Sequence, residues 1–271
     1  MNPNFGRIAA TVWELSSHYA AMQAGLKKSL SHGLMAQVAW TYEKSIDGGS
    51  TTFSSNEFAN TLNNPMGIFY PALNTGLSDF DVRDLVVVNL LYNIPTPKTW
   101  KGFAKGVLGG WQAGSIFTAG TGLPFSVMLN NDRAGTKSAL TTEQLGQRPN
   151  YVAGCQTTNP GQVQYVNTSC FTFPAQYTLG NLGRNSLTGP GLQDLDFSLF
   201  KNQNVTRISE TFRVQFRAEF FNVLNHTNFA LPDAPHTTMW TSSGVLNGNA
   251  GQLTTTQTAS RQIQFGLKLL W

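Results

Sequence analysis

The chain has 271 residues, and 12% of them are Asp, Glu, Lys or Arg, about half the share that a soluble domain carries. Its net charge of +4 comes from dispersed basic residues, with Lys27-Lys28 the only adjacent pair, which excludes a nucleic-acid-binding stripe. No run approaches roughly 18 apolar residues, so we predict no membrane-spanning helix. β-barrel strands stay compatible with the composition because they alternate polar and apolar positions.

Two alternating segments open the chain, joined by the polar turn Ser31-His32-Gly33. In residues 18–30 one set of positions holds Ala20, Met22, Ala24 and Leu26, and the other holds Ala21, Gln23, Gly25 and Lys27. In residues 34–46 one face carries Leu34, Ala36, Val38, Trp40 and Tyr42, and the other carries Gln37, Thr41 and Glu43. A period of two residues is typical of a β-strand, so these segments predict a hairpin.

The next two segments are less regular. Residues 81–95 are apolar on both faces in the middle. Residues 110–122 set Trp111, Ala113, Phe117 and Ala119 against Gln112 and Thr118, and their glycines indicate a bend. We predict a strand in each.

The last three segments alternate clearly. Residues 192–202 set Leu195, Phe197 and Leu199 against Asp194, Asp196 and Ser198. Residues 212–220 set Phe212, Val214, Phe216, Ala218 and Phe220 against Arg213, Gln215, Arg217 and Glu219. Residues 261–271 set Ile263, Phe265, Leu267, Leu269 and Trp271 against Gln262, Gln264 and Lys268.

The links between these strands alternate in length. Residues 31–33, 96–109 and 203–210 are short links, whereas 47–80, 123–191 and 224–257 are long ones. Any one strand would also suit a half-buried soluble sheet, but long loops on one side only are typical of outer-membrane barrels. We therefore predict an all-β fold: about seven long strands of a larger antiparallel transmembrane β-barrel, with short periplasmic turns, long extracellular loops, and residues 1–17 in such a loop.

Six segments resemble, in sequence order, the C-terminal barrel part of TonB-dependent outer-membrane transporters. They are "YAAMQAGLKKSLSHGLMAQVAWTYEKSID", "GLSDFDVRDLVVVNLLYNIP", "LGGWQAGSIFTAGTGLPFSV", "LGNLGRNSLTGPGLQDLDFSLFKN", "FRVQFRAEFFNVLNHTNFALP" and "RQIQFGLKLLW". The resemblance is closest to the Oar-like group, whose larger members carry a carboxypeptidase-regulatory-like domain. It implies a barrel of about 22 strands with a plug domain, in the outer membrane of a Gram-negative-type bacterium. Residues 1–271 are then expected to be a C-terminal barrel fragment that lacks the plug and the signal peptide.

The resemblance implies a non-enzymatic role in energy-coupled uptake of a substrate that the sequence does not identify. The expected partners are outer-membrane lipid, the barrel assembly machinery, and a TonB-type energy-coupling complex that acts through the missing N-terminal part. A surface adhesion or structural outer-membrane protein is the alternative, and a soluble glycan-binding β-sandwich is a third possibility. Catalytic and phosphate-binding motifs are absent from the sequence, and we expect no cofactor.

The charged positions of the strands are predicted to face the barrel lumen, since an arginine facing lipid costs about 2–4 kcal/mol at the midplane. The predicted lumen-facing residues are Arg213, Gln215, Arg217, Glu219, Asp194 and Asp196. A symmetric hairpin around residue 206 would put Asp196 opposite Arg217 and Phe197 opposite Phe216. We expect these charges to form a structural ion-pair ladder, with a role in transport as the alternative.

Cys155 and Cys170 lie in the longest predicted loop, where an oxidising compartment permits a disulfide. Two cysteines without a nearby histidine do not make a zinc site, and we expect no metal. Asp79, Asp81 and Asp84 lack the spacing of a calcium loop. We expect them to be solvated carboxylates at the start of a strand.

The C-terminal stretch "FGLKLLW" resembles the aromatic-ended last strand that the barrel assembly machinery reads. The predicted assembly signal is Phe265, Leu267, Leu269 and Trp271. Aromatic side chains near strand ends also indicate interfacial girdles of the kind found in membrane barrels. These are Trp40, Tyr42, Tyr92, Trp111 and Trp271.

Overall fold

A computed structural model describes residues 16–50, 71–135, 147–205 and 209–271. Seven long strands form one antiparallel sheet, in the order in which they follow one another in the sequence. They are β1 (Ser17–Ser31), β2 (Leu34–Asp47), β3 (Asp84–Asn93), β4 (Trp111–Gly120), β5 (Leu192–Asn204), β6 (Arg213–Phe221) and β7 (Gln262–Leu270). The predicted all-β, antiparallel fold class is therefore confirmed. The expectation for residues 1–17 falls almost wholly outside the described residues.

The sheet is an open wall over the part of the chain that the structure describes, with β1 and β7 at its edges. An extra short strand, Gly76–Leu77, pairs with the end of β2. The links on one side of the wall are short, and those on the other side are long. We call these the short-link end and the long-loop end.

The register gives the wall one continuous apolar face. One apolar row crosses five strands through directly opposed residues, namely Leu26, Val38, Val88, Phe117 and Leu195. Because opposed residues of an antiparallel pair point to the same face, the rows on either side continue this apolar face. Its large side chains are exposed at both edges, in β1 and in β7, as a surface in contact with lipid requires.

The pairing of β5 with β6 differs from the predicted one. Phe197 lies opposite Phe220, and Arg217 lies opposite Phe200 rather than Asp196. The reason is the position of the turn: β5 continues to Asn204 and β6 begins at Arg213, so the hairpin is centred later than residue 206. The period of two is kept, so every side chain stays on its predicted face.

Short elements occupy the connections. The helices are α1 (Gly102–Leu108) and α2 (Ala234–Thr237), with 3-10 turns at Pro71–Asn74 and Thr168–Cys170. The short strand pairs are Pro124–Phe125 with Leu187–Thr188, Met128–Leu129 with Thr238–Trp240, and Asn150–Tyr151 with Phe171–Thr172. Within the described ranges, no helix is long and apolar enough to cross a membrane.

The main hydrophobic core of the described residues lies in the long loops. Residues 123–135, 147–191 and 222–261 fold together at the long-loop end, and we call this unit the cap. Its core contains Phe125, Val127, Leu129, Tyr165, Val166, Cys170, Phe171, Leu182, Leu187, Met239, Trp240, Ala250 and Leu253. Two-residue strand pairs alone are marginal, so apolar burial is what stabilises the cap.

Candidate functional site

The predicted lumen-facing residues share one face of the wall, opposite to the apolar face. In β6 they alternate with apolar residues, and the pairing of Ser198 with Glu219 and of Asn202 with Gln215 places the β5 set on the same face. The predicted lumen-facing residues on this polar face are Arg213, Gln215, Arg217, Glu219, Asp194 and Asp196. Whether the polar face lines a lumen stays a prediction.

The expected ion-pair ladder does not form. None of the ion pairs between described residues includes a charged member of that set. Arg217 donates from Nε to Gln215 Oε1 at 2.8 Å, and its guanidinium lies 5.4 Å from the centre of the Phe200 ring. Asp196 Oδ1 accepts from the backbone N–H of Asn222 at 2.9 Å. The shifted register is the cause, because it places Phe200, not Asp196, beside Arg217.

Charge on the polar face is sorted along the strands. Near the cap the charges are acidic, with Glu43, Asp194, Asp196 and Glu219. Towards the short-link end they are basic, with Lys27, Arg213 and Lys268. Charges of one sign that are grouped on a protein surface raise the local concentration of the opposite ion. The acidic half therefore favours cations at the long-loop end.

Arg184 joins the cap to the wall through a buried group of charges. Its Nη1 lies 2.6 Å from Asp47 Oδ1 at the end of β2, and its Nη2 lies 3.1 Å from Asp79 Oδ1 in the loop before β3. The Arg184 side chain is 9% exposed and that of Asp79 is 2% exposed. Ser50 Oγ accepts a further bond from Nη2 at 2.6 Å. We call Arg184, Asp47, Asp79 and Ser50 the clamp.

Asn185 continues the clamp on its cap side. Its amide Nδ2 donates to Leu77 O and to Asp79 Oδ1, each at 2.7 Å, and its backbone N–H donates to Ser126 Oγ at 2.7 Å. The backbone of Asn185 has φ of 51°, a left-handed conformation that asparagine tolerates better than most residues. Three parts of the chain therefore meet at one buried side chain.

The expectation that Asp79 and Asp81 are solvated is wrong. Both are buried, and Asp81 accepts the backbone N–H of Ser45 at 2.6 Å and pairs with Arg83 at 3.1 Å. Ser45, which bonds Asp81, and Arg184, which pairs with Asp79, come from distant parts of the sequence, so local spacing did not predict this burial. Arg184 was not predicted as a site residue, because its partners Asp47 and Asp79 also come from distant parts of the sequence.

A second buried cation lies next to the clamp. Arg148 donates from Nε to Leu182 O at 2.8 Å and from Nη2 to Leu73 O at 2.6 Å. Burial, reinforced by the nearby charge of Arg184, lowers the pKa of Arg148 to about 10. Arg148 therefore stays charged at neutral pH.

Cys155 and Cys170 are joined in a disulfide, with their Cα atoms 5.4 Å apart. Cys170 belongs to the cap core, and Cys155 packs against it. Tyr165 lies in the same core and donates from its hydroxyl to Thr188 O at 2.7 Å. The disulfide therefore links a cap segment covalently to the core and restricts local opening of that segment.

The proposed assembly residues of β7 are all exposed on the apolar face or at its end. Phe265 stacks on Phe216, with ring centres 6.3 Å apart, and Trp271 extends beyond the strand. The predicted girdle residues Trp40, Tyr42, Tyr92 and Trp111 also lie on the apolar face. Recognition by assembly machinery stays a prediction.

An antiparallel wall with one apolar and one polar face, short links at one end and folded loops at the other, defines an outer-membrane β-barrel. Residues 1–264 match the family described as "Outer membrane beta barrel domain", and the chain belongs to this family. Its location is the outer membrane of a Gram-negative bacterium. No curated protein and no solved structure matches the chain.

Proposed function

We propose that the chain forms the substrate-facing part of an outer-membrane transporter of the TonB-dependent type, in which the cap contacts the substrate and the polar face lines its route. The observation that carries this proposal is the polar face, whose charged residues make no ion pairs with one another. Charges that are not used to hold the wall together are available to water, to a plug or to a solute.

The ordered cap supports the same proposal. A binding surface that is already folded loses less conformational entropy when a ligand binds. The clamp and the disulfide fix the cap before any ligand arrives, so its outer surface has a defined shape. The acidic half of the polar face beneath it favours cationic solutes over anionic ones.

Uptake by the full-length protein tests this proposal. Cells that carry it would be given labelled iron chelates, vitamins, sugars and peptides, with and without a proton-gradient uncoupler. We expect one class to accumulate only in energised cells, and we expect Arg184→Ala to reduce that uptake. Arg261→Ala is the matched control, because Arg261 is exposed and, among the described residues, its side chain bonds only Val223 O.

Adhesion is the outcome that would replace transport. It predicts cap-dependent attachment of cells to a surface, with no accumulation of any solute in energised cells. Equal accumulation in energised and uncoupled cells would also contradict energy-coupled uptake. Either result would leave the family membership and the location unchanged.

A further inference from the structure

The link between β3 and β4 presents apolar side chains that the described protein does not cover. In α1 the side chain of Phe103 is 86% exposed, and those of Val107 and Leu108 are also exposed. No residue of α1 is buried. An apolar helix face left open in this way is typical of a segment whose partner lies outside the protein.

The same link is strongly basic. It contains Lys98, Lys101 and Lys105, and residues 94–110 contain no Asp or Glu. Lys101 and Lys105 are one helical turn apart, and Phe103 and Val107 are one turn apart on the opposite side of α1. Phe103 and Val107 therefore share a side of α1 away from the two lysines, whereas Leu108 lies near the lysine side.

Contacts hold this link against the apolar face of the wall. The indole N–H of Trp111 donates to Val107 O at 3.0 Å, and Trp111 packs edge-on against Phe216 on the apolar face. Lys201 donates to Gly109 O, and its ammonium lies 5.2 Å from the Trp111 ring centre. The link thus sits where the apolar face ends, at the short-link end.

That position identifies the kind of partner. Short links lie on the periplasmic side of outer-membrane barrels, so the link meets the headgroup region of the periplasmic leaflet. Amphipathic basic helices bind there by inserting their apolar side below the headgroups while their lysines contact anionic lipid. Tryptophan and lysine at the same depth strengthen such an anchor.

We propose that residues 98–108, together with Lys201, form an interfacial anchor that binds anionic phospholipid headgroups of the periplasmic leaflet. Phe103 and Val107 insert into the acyl region, while Lys101 and Lys105 contact the phosphates. This inference goes beyond transport and stands independently of it, because it concerns the lipid-facing side of the wall.

Insertion is tested with a nitroxide on Phe103→Cys, in vesicles of phosphatidylethanolamine and phosphatidylglycerol. The two native cysteines form a disulfide, so the label attaches to the introduced thiol. We expect the nitroxide to collide more with oxygen, which dissolves in lipid, than with a water-soluble nickel complex. Tyr177→Cys, at an exposed cap position, is the control with the reverse preference. A label at 103 that behaves like the one at 177 would overturn insertion.

Headgroup binding is tested by native mass spectrometry of the protein released from the same vesicles. We expect retained phosphatidylglycerol, and we expect Lys101→Gln with Lys105→Gln to lower its retention roughly thirtyfold. Lys27→Gln with Lys268→Gln removes the same charge from the polar face near the same end and should leave retention unchanged. Equal loss in both pairs, or no preference for phosphatidylglycerol over phosphatidylethanolamine, would reject the anionic site. If retention of phosphatidylglycerol fell only in the presence of a competing acidic protein or polymer, that molecule would be the partner of the anchor. This result would reject the lipid proposal.

Discussion

Arg184 and Asp47 form a buried ion pair, with 2.6 Å between Nη1 and Oδ1, although 137 positions separate them in the sequence. The pair connects the cap to the last residue of β2. A charge buried without its partner costs far more than the pair contributes. The clamp therefore makes the position of the cap depend on the end of β2.

Replacement of Arg184 by alanine removes the counter-charge that is paired with the buried Asp47. We expect it to destabilise the cap by about 3–5 kcal/mol. Hydrogen exchange would show this as faster exchange in residues 147–191, with β5 and β6 unchanged. Arg261→Ala is the control and should leave the cap protected. Unchanged protection in Arg184→Ala would show that the clamp does not hold the cap.

The disulfide should stabilise the cap locally. The chain-entropy model gives about 3 kcal/mol for a closed loop of roughly this length, and the cysteines are 15 positions apart. We expect the double substitution Cys155→Ser and Cys170→Ser to lower the denaturant midpoint for unfolding of the cap. Fluorescence would monitor this unfolding. The reduced native protein should match this double variant. A midpoint that does not change on reduction would mean that the core alone fixes the segment.

Much of the wall could be predicted from the sequence, because side-chain alternation is a local signal that membrane lipid makes strict. The faces of Phe216 and Arg217 follow from this alternation alone. Their neighbours across the hairpin do not, because the pairing depends on where the turn sits. Phe197 therefore meets Phe220 and not Phe216.

The clamp could not be predicted, because its members come from separate loops and carry no periodic pattern. The sequence around Asp79 does not distinguish it from other loop aspartates. Its contacts with Arg184 and Asn185 form only in the folded chain. The cysteine pair was accessible to sequence reasoning because it contains the only two cysteines of the chain. Contacts across long loops are set by tertiary packing, which local sequence does not encode.

A close backbone contact in the cap depends on Gly180. A Cβ atom at this position would lie 1.9 Å from Arg148 O, so Gly180→Ala must displace the segment that carries the buried Arg148. We expect reduced cap stability in thermal unfolding. Gly248→Ala is the matched control, because nothing lies within 4 Å of the added atom there. Equal effects of the two substitutions would contradict this contact.

Alkaline pH should weaken the cap through Tyr165. Burial raises the pKa of Tyr165 above its ordinary value of 10.0, against a smaller opposing effect of the hydrogen bond with Thr158. The unfolded chain then loses this proton at lower pH than the folded cap does. The contribution to stability is therefore complete below about pH 10 and is lost as the pH rises through the folded pKa.

Phenolate absorbance during an alkaline titration measures this effect. We expect Tyr165→Phe to remove a late-ionising phase that coincides with loss of the cap. Tyr177→Phe removes an exposed phenol and should leave that phase in place. A late phase that survives in Tyr165→Phe would assign it to another tyrosine.

The separation of the two faces of the wall in the membrane can be measured directly by single cysteines along β6. Each residue from 213 to 220 would be replaced in turn, and outer membranes that contain the protein would be treated with a water-soluble thiol reagent. We predict reaction at positions 213, 215, 217 and 219, and protection by lipid at positions 214, 216, 218 and 220. Reaction at both sets, as in a soluble sheet, or the reverse pattern would contradict it.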